Sequence, residues 1–361
     1  MSAKPIVAIA MSGGVDSSVA AALLVERGYT VVGMMLRLWS EQDSERANRC
    51  CTPDSVAMAR RVASILSIPF YILDARQFFY EAVVKPFIHD YTHNLTPNPC
   101  INCNRTVRWE FLLNHALSAG VDFLATGHYA RLTQNSHQAY QLLRGLDSAK
   151  DQSYVLHMLT QNQLNHALFP LGEYTKQDVR QMAHKFNLPV AERPDSQDLC
   201  FVGGDGDYRQ FLARHAPQAI MPGEILDRKG NILGHHEGLS FFTIGQRKGL
   251  HVPSSTPHYV LEKDFLRNVI IVGTRDQSGS DNFIVENMNW IAGQPPDSQF
   301  TAFVKIRYKA HDIPCAINTL NGNSVHIKLE NPVCDITPGQ AAVLYNGDVC
   351  LGGGIISNMN D

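Results

Sequence analysis

A short apolar run, Ile6-Val7-Ala8-Ile9-Ala10-Met11, breaks into Ser12-Gly13-Gly14-Val15-Asp16-Ser17-Ser18 and continues as an Ala/Leu-rich amphipathic stretch ending at Gly28. Few folds satisfy that order: it asks for a buried strand, a turn built on two glycines, and a helix whose first turn looks back at the turn. Glycine admits positive φ and a close backbone approach to a ligand. The unsatisfied N–H groups at the positive end of the helix dipole face the same spot, and Ser12 and Ser17 add hydroxyls. The run therefore predicts a phosphate cradle. A plain Gly-rich turn with Asp16 as dipole partner is the alternative, and the complete run after a buried strand favours the cradle. A Walker loop needs four residues between its glycines and then Gly-Lys-Ser/Thr. No lysine stands here.

At 361 residues the chain exceeds the size at which one core keeps growing, so two or three domains are expected. The first 130 residues alternate: strand Ile6–Met11, helix Ser17–Arg27, strand Thr30–Leu36, a helix from Thr52-Pro53-Asp54 to about Ser67, strand Pro69–Leu73, helix Phe78–Ile88, helix Thr106–Ala119 and strand Phe123–Gly127. Parallel strands with right-handed helical crossovers are the economical reading, and ligands then bind beyond the carboxyl ends of the strands. From about Asp151 to Phe186 the pattern reads as helical. Beyond Gly223 it turns into short β-like runs, with strand alternations at Thr301–Tyr308, Cys315–Ile317, Ser324–Leu329 and Ala341–Tyr345 that suggest a small terminal barrel. The expected fold is α/β: an N-terminal parallel-sheet domain over 1–209, a small central domain over 210–280 and a C-terminal β-barrel over 281–361.

Formal net charge is −3, so no global field announces a nucleic acid and any RNA contact must rest on local basic patches. The first apolar stretch is too short and too soon interrupted for a signal peptide, and no run approaches the ~20 apolar residues of a membrane span. A cytoplasmic protein is expected. In a reducing compartment its eight cysteines are metal-binding, catalytic or buried rather than structural disulfides. Cys100 and Cys103 form a C-x-x-C in a proline-stiffened loop before a helix, where helix N–H groups, Arg105 and Arg108 would favour a thiolate. A zinc half-site or two unrelated thiols are equally open readings of that motif. Cys200 lies in a second polar loop, Arg193-Pro194-Asp195-Ser196-Gln197-Asp198-Leu199-Cys200. Cys315, Cys334 and Cys350 alternate with apolar residues and read as core fillers, while Cys50 and Cys51 carry no companion motif.

Seven blocks, taken in order, resemble the bacterial tRNA-specific 2-thiouridylases, a branch of the ATP pyrophosphatases that carry a pyrophosphate loop. They are Ser12–Ser18, Thr96-Pro97-Asn98-Pro99 with Cys103-Asn104, Ala125-Thr126-Gly127-His128-Tyr129, Asp147-Ser148 with Lys150-Asp151-Gln152-Ser153-Tyr154, Asp195-Ser196-Gln197 with Cys200-Phe201, Gly245-Gln246-Arg247-Lys248-Gly249-Leu250, and Pro338-Gly339-Gln340 with Tyr345 and Gly352-Gly353-Gly354. The resemblance implies an adenine nucleotide α-hydrolase-like fold, ATP with Mg²⁺ partly held by Asp16, and conversion of a tRNA wobble uridine to 2-thiouridine. It assigns Cys200 as the persulfide carrier and Cys103 as the nucleophile that closes a disulfide with it. It places ATP on Ala10, Met11, Ser12, Gly13, Gly14, Val15, Asp16, Ser17, Leu36 and Gly127, and the target base on Asn98, Pro99 and Cys100. It gives tRNA contacts to His128, Lys150, Asp151, Gln152, Arg307, Tyr308 and Gln340, and a persulfide-donating sulfur-carrier protein as partner. Many relatives have Asp where Cys100 stands, which leaves open an iron–sulfur cluster on Cys100, Cys103 and Cys200. A nitrogen-transferring pyrophosphatase would share the phosphate loop without needing either thiol, and an RNA-binding protein without catalysis would keep the barrel alone.

Overall fold

The computed structural model describes residues 4–41, 52–194, 199–202 and 207–357; Cys50, Cys51 and the 195–198 stretch lie outside them. The N-terminal part carries β1 (Ile6–Ala10), β2 (Thr30–Arg37), β3 (Phe70–Asp74), β4 (Phe123–Ala125), a hairpin of β5 (Ala130–Gln134) and β6 (Tyr140–Arg144), and a two-residue β7 (Ala167–Leu168). Five of them form one sheet in the order β3-β2-β1-β4-β7, every pairing parallel, while the antiparallel β5–β6 hairpin joins the C-terminal sheet through β17. The chain moves outward from β1 to β3 and then returns to its other side, so the topology switches between β1 and β4. That is where an open parallel sheet leaves a crevice at its carboxyl end.

Helix α1 (Val15–Glu26) follows β1 directly, and its residues Ser17 to Leu24 are buried. It is covered on both sides, by the sheet and by helix Lys176–Lys185, whose Val179 and Ala183 share its core with Leu188 and Val190. Small residues at 17–22 let a helix be enclosed this way. Helix α2 (Pro53–Ile65) starts from Thr52, whose side chain accepts from the Ser55 amide, with Pro53 in the first turn.

The central part holds β8 (Gly223–Leu226), β9 (Ile232–His236), β10 (Tyr259–Asp264) and β11 (Val269–Gly273), ordered β10-β11-β8-β9. The C-terminal part holds β12 (Ser280–Trp290), β13 (Gln299–Lys305), β14 (Ile313–Leu320), β15 (Ser324–Val333), β16 (Ala341–Asn346) and β17 (Val349–Ile356). These six pair in the cycle β12-β15-β14-β13-β16-β17, and β12–β17 pairing closes the barrel. Closure removes the sheet edges.

Two expectations need correction. The 151–186 stretch is not one helical block: it comprises a 3₁₀ turn at Ser153–Leu156, helix Gln161–Asn165, β7 and helix Lys176–Lys185. Asp151 accepts from the nearby Gly145 and Ser153 amides, Thr160 and Thr175 each begin a capping box, and Pro170 and Gly172 interrupt the run. The alternations named for the barrel also omit β17, because three consecutive glycines read as a break in a strand. Here they are required by crowding. A Cβ on Gly352, Gly353 or Gly354 would sit 2.0, 2.6 or 2.3 Å from the carbonyl oxygens of Asn289, Ala342 and Glu286.

Replacing Gly354 by Ala should therefore destabilise the protein by about 1–3 kcal/mol, whereas Gly234→Ala, in β9, should stay within about 0.5 kcal/mol of wild type. A Cβ at Gly234 meets only Val252, at 3.9 Å. Equal urea midpoints for the two variants would exclude the crowding argument.

Candidate active site

The turn after β1 is held by its own hydroxyls and by two neighbouring backbones. Ser17 Oγ accepts from the Ser12 amide at 3.2 Å and lies 3.2 Å from Ser12 Oγ. Gly13 has φ +73°, and a Cβ there would be 2.4 Å from the Ser55 carbonyl oxygen. Gly127 approaches from β4, where a Cβ would stand 2.8 Å from the Ser17 nitrogen. The N-cap of α1 is Gly14, which offers no side-chain cap. An anion at this helix end therefore meets backbone donors that no side chain of the cap has taken.

Further contacts fix the loop from distant parts of the chain. Arg193 donates to Gly13 O at 3.2 Å, to Asp54 Oδ2 at 2.8 Å and to Ser55 Oγ at 3.1 Å. Asp16 Oδ1 accepts from the Tyr129 hydroxyl at 2.8 Å and from Lys176 Nζ at 2.6 Å. Tyr129, Lys176 and Arg193 were not singled out as site residues from sequence. The available signal was negative: a phosphate loop with no lysine in it.

A cavity of about 470 Å³ opens on this loop and is shared by Leu36, Gly127, Cys103, Cys200 and Tyr308. That size suits a small-molecule site. Asp16 is its one acidic lining residue among those described. Magnesium is held by one or two carboxylates plus substrate phosphates and water, so Asp16 with a bound triphosphate is a sufficient donor set.

The structure brings Cys103 and Cys200, both half-buried, to the same cavity. Cys103 follows the helical turn Pro99–Asn102 in a continuous helical run reaching Ser118, and Asn104 Nδ2 ties that run together through Cys100 O at 3.0 Å. Cys100 is exposed and does not line the cavity. Among the described residues no three His, Cys, Asp or Glu side chains gather as a metal-holding group, so the three cysteines as placed do not fit a cluster. Burial pushes the Cys315 and Cys350 thiols up to about 12, which keeps them protonated and unreactive.

The residues that the resemblance ties to tRNA fall into two groups. Lys150, Gln152 and Tyr308 line the cavity. His128 lines it too, but is only 5% exposed and sits between Thr126 Oγ1 at 2.8 Å and Arg108 Nη1 at 3.1 Å. Arg108 can only donate, so His128 Nε2 accepts and its proton resides on Nδ1, facing Thr126. Asp151, Arg307 and Gln340 hold protein together. Asp151 is buried and accepts from the Gly145 and Ser153 amides and the Ser153 hydroxyl. Arg307 Nη2 donates to Ile244 O and Thr337 Oγ1, joining the central part to the barrel. Gln340 Nε2 donates to Thr96 O at 2.9 Å, and Thr96 donates its amide to Pro338 O at 3.0 Å. The Pro338-Gly339-Gln340 turn of the barrel thus grips the loop carrying Asn98, Pro99 and Cys100.

A switch-point crevice with a helix-terminus phosphate site and two thiols facing it defines an α/β enzyme that binds a nucleotide and works with sulfur. Residues 5–204 match the family described as tRNA methyl transferase HUP domain, 209–274 its PRC-barrel domain and 280–356 the aminomethyltransferase β-barrel domain. The tRNA-specific 2-thiouridylase of Chloroflexus aurantiacus is 45% identical over 97% of this chain and 98% of its own length, and that of Geotalea uraniireducens 45% identical over 98% and 95%. The chain belongs to the tRNA-specific 2-thiouridylase family. Among the described residues no helix is long and apolar enough to cross a membrane.

Burial, with the Arg108 guanidinium beside it, holds His128 well below 6.5. The folded protein keeps it neutral, whereas the unfolded chain protonates it near pH 6.5. The unfolded state then binds more protons below that pH, so folding stability falls as pH drops from about 6.5. Replacing His128 by Asn should flatten the slope of unfolding free energy against pH between 5 and 6.5 by about one proton's worth. An unaltered slope in urea titrations across that range would remove His128 from the account.

Proposed function

We propose that this chain, like the relatives named above, converts a uridine of tRNA to 2-thiouridine, spending ATP to activate the oxygen that is lost. The observation that carries the reading is the meeting of Cys103 and Cys200 in one cavity with the lysine-free phosphate loop. The matched family description speaks of methyl transfer and the relatives of thiolation. Methyl transfer to a base requires neither a phosphate loop nor two thiols beside it, so sulfur is the better account.

The chemistry follows from the leaving group. The C2 oxygen of uridine is amide-like and departs poorly as hydroxide. Attack of that oxygen on the α-phosphorus of ATP forms the O–P bond and breaks the α–β bridge, and pyrophosphate remains at the loop over the α1 terminus. Magnesium, with Asp16 as its protein ligand, would supply charge neutralisation at the phosphates. Sulfur then arrives as a persulfide on Cys200: its terminal sulfur attacks C2 and AMP leaves. The Cys103 thiolate attacks the Cys200 sulfur, forming a Cys103–Cys200 disulfide and releasing the thiolated base. A thiol reductant restores both cysteines, and a persulfide-donating protein reloads Cys200.

The base must leave its stack to reach this cavity. Tyr308, which lines the cavity together with Lys150 and Gln152, is the aromatic group offered to receive it, whereas Asn98, Pro99 and Cys100 are not among the cavity's lining residues. Burial, and to a lesser degree Asp151 and Cys100, push the Tyr308 hydroxyl up to about 12, so it meets the base as a proton donor. Asp151, Arg307 and Gln340 contribute by fixing the barrel against this wall.

Purified chain given tRNA, ATP, Mg²⁺ and a persulfide donor should yield 2-thiouridine, read by mass spectrometry of digested nucleosides. Cys200→Ser should take up no persulfide and make no product. Cys103→Ser should still take up persulfide on Cys200 yet stall at release, with the base held on Cys200 through the transferred sulfur. Thiolation by Cys200→Ser at the wild-type rate would overturn the relay. Asp16→Ala should lower pyrophosphate release by two orders of magnitude or more while tRNA affinity changes less than about threefold. Undiminished release by that variant would remove Asp16 from the phosphate chemistry.

A further inference from the structure

A loop that receives a triphosphate and retains pyrophosphate needs a cation, and residues 12–18 contain none. Among the described residues, the lysines and arginines that line the cavity are Arg108, Lys150, Arg193 and Lys309. Arg193 spends its guanidinium on Gly13 O, Asp54 and Ser55, and so supports the loop from behind. Arg108 is engaged with Asn104 and His128, on the side of the cavity that holds Cys103. Lys150 and Lys309 also line the cavity, and neither has a hydrogen bond to the loop among those described.

Lys176 is different. It comes from 160 residues away to place its ammonium 2.6 Å from Asp16 Oδ1, at the first turn of α1, over the ring of Tyr129 at 6.0 Å. Its side chain is 12% exposed. Its position is set by more than the ion pair. The Lys176 amide donates to Asp147 Oδ2 at 2.9 Å, Thr175 and Asp178 cap its helix reciprocally, and that helix is packed on α1 through Val179 and Ala183. The backbone is held in place, while a flexible four-carbon stem lets the ammonium turn toward a nearby anion. Asp16 lines the cavity, and Lys176 balances its charge there; an incoming polyphosphate would otherwise meet an uncompensated carboxylate.

We propose that Lys176 is the pyrophosphate-binding cation of the loop, delivered from helix Lys176–Lys185 in place of the lysine that the loop sequence lacks, with Asp16 and Tyr129 holding its ammonium until phosphate arrives. The proposal rests on the loop being the phosphate site and is independent of the sulfur steps.

The test is calorimetric titration of the full chain with inorganic pyrophosphate, in chelator and then in Mg²⁺. In chelator Lys176→Met should weaken binding by about tenfold to a hundredfold, the range for losing a charge-assisted hydrogen bond. Lys176→Arg should recover most of it. Lys185→Met, on the same helix and paired at the surface with Glu26, should bind as wild type. Asp16→Asn in chelator should retain or improve affinity, since it removes a negative charge and leaves the ammonium. Thermal melting of each variant separates lost fold from lost site, and Lys176→Gln serves if Lys176→Met does not fold. Wild-type affinity of Lys176→Met in chelator, with a defect confined to Mg²⁺, would overturn the proposal and leave Lys176 a support for Asp16. Absence of pyrophosphate binding by the wild type would overturn it together with the phosphate site, whereas failure to thiolate tRNA with pyrophosphate binding intact would strike only the reading of the reaction.

Discussion

The site depends on two close backbone approaches at the start of α1. Gly13 lies against the Ser55 carbonyl and Gly127 against the Asp16–Ser17 peptide, at distances where no side chain fits. Those contacts lock the first turn of α1 to α2 on one flank and to the end of β4 on the other. The helix terminus cannot then relax to cap itself, and its donors remain aimed at the cavity. Such preorganisation spares the reaction the cost of reorienting dipoles as charge develops. Arg193 reinforces one flank and Tyr129 the other.

A second constraint joins the sheet domain to the barrel. Asp151, Ser153 and Tyr345 form one buried chain of hydrogen bonds, and Tyr154 donates to Ala341 O. Asn289 Nδ2 reaches the His157 and Leu159 carbonyls, Gln161 Nε2 reaches Ile291 O, and β6 pairs with β17 at Leu143 and Val349. Burial pushes the Tyr345 hydroxyl well above 10, so it stays a protonated member of that network. A buried polar network is favourable only when its members are satisfied, which makes the relative placement of the two parts specific. The barrel is thus built into the wall behind the thiol-bearing loop.

Much of this was legible in the sequence, for identifiable reasons. The strand, the glycine turn and α1 were readable because local conformational demands coincide there with hydrophobic period. The class of fold and the barrel followed from alternation of elements. Contacts across long sequence separations were not readable: Tyr129 and Lys176 on Asp16, Arg193 on Gly13 and Gln340 on Thr96 each depend on the tertiary arrangement. The blocks around Asp151 and Pro338 could be recognised as motifs, but the Asp151 and Gln340 side chains bond to protein, and only packing reveals that. β17 was missed because its glycines answer to neighbouring carbonyls rather than to strand propensity. The 195–198 segment before Cys200 lies outside the described residues.

The grip of Pro338 and Gln340 on Thr96 and Pro97 has a consequence for biosynthesis. The loop leading to Cys103 is made early, yet its outer wall is supplied by a turn whose Gln340 stands 244 residues beyond Thr96, immediately before β16 and β17 complete the barrel. A nascent chain can form the parallel sheet and its phosphate loop well before that wall exists. The phosphate-loop half of the site can thus form first, and the wall of the Cys103 loop is completed only once residues 338–340 have been made.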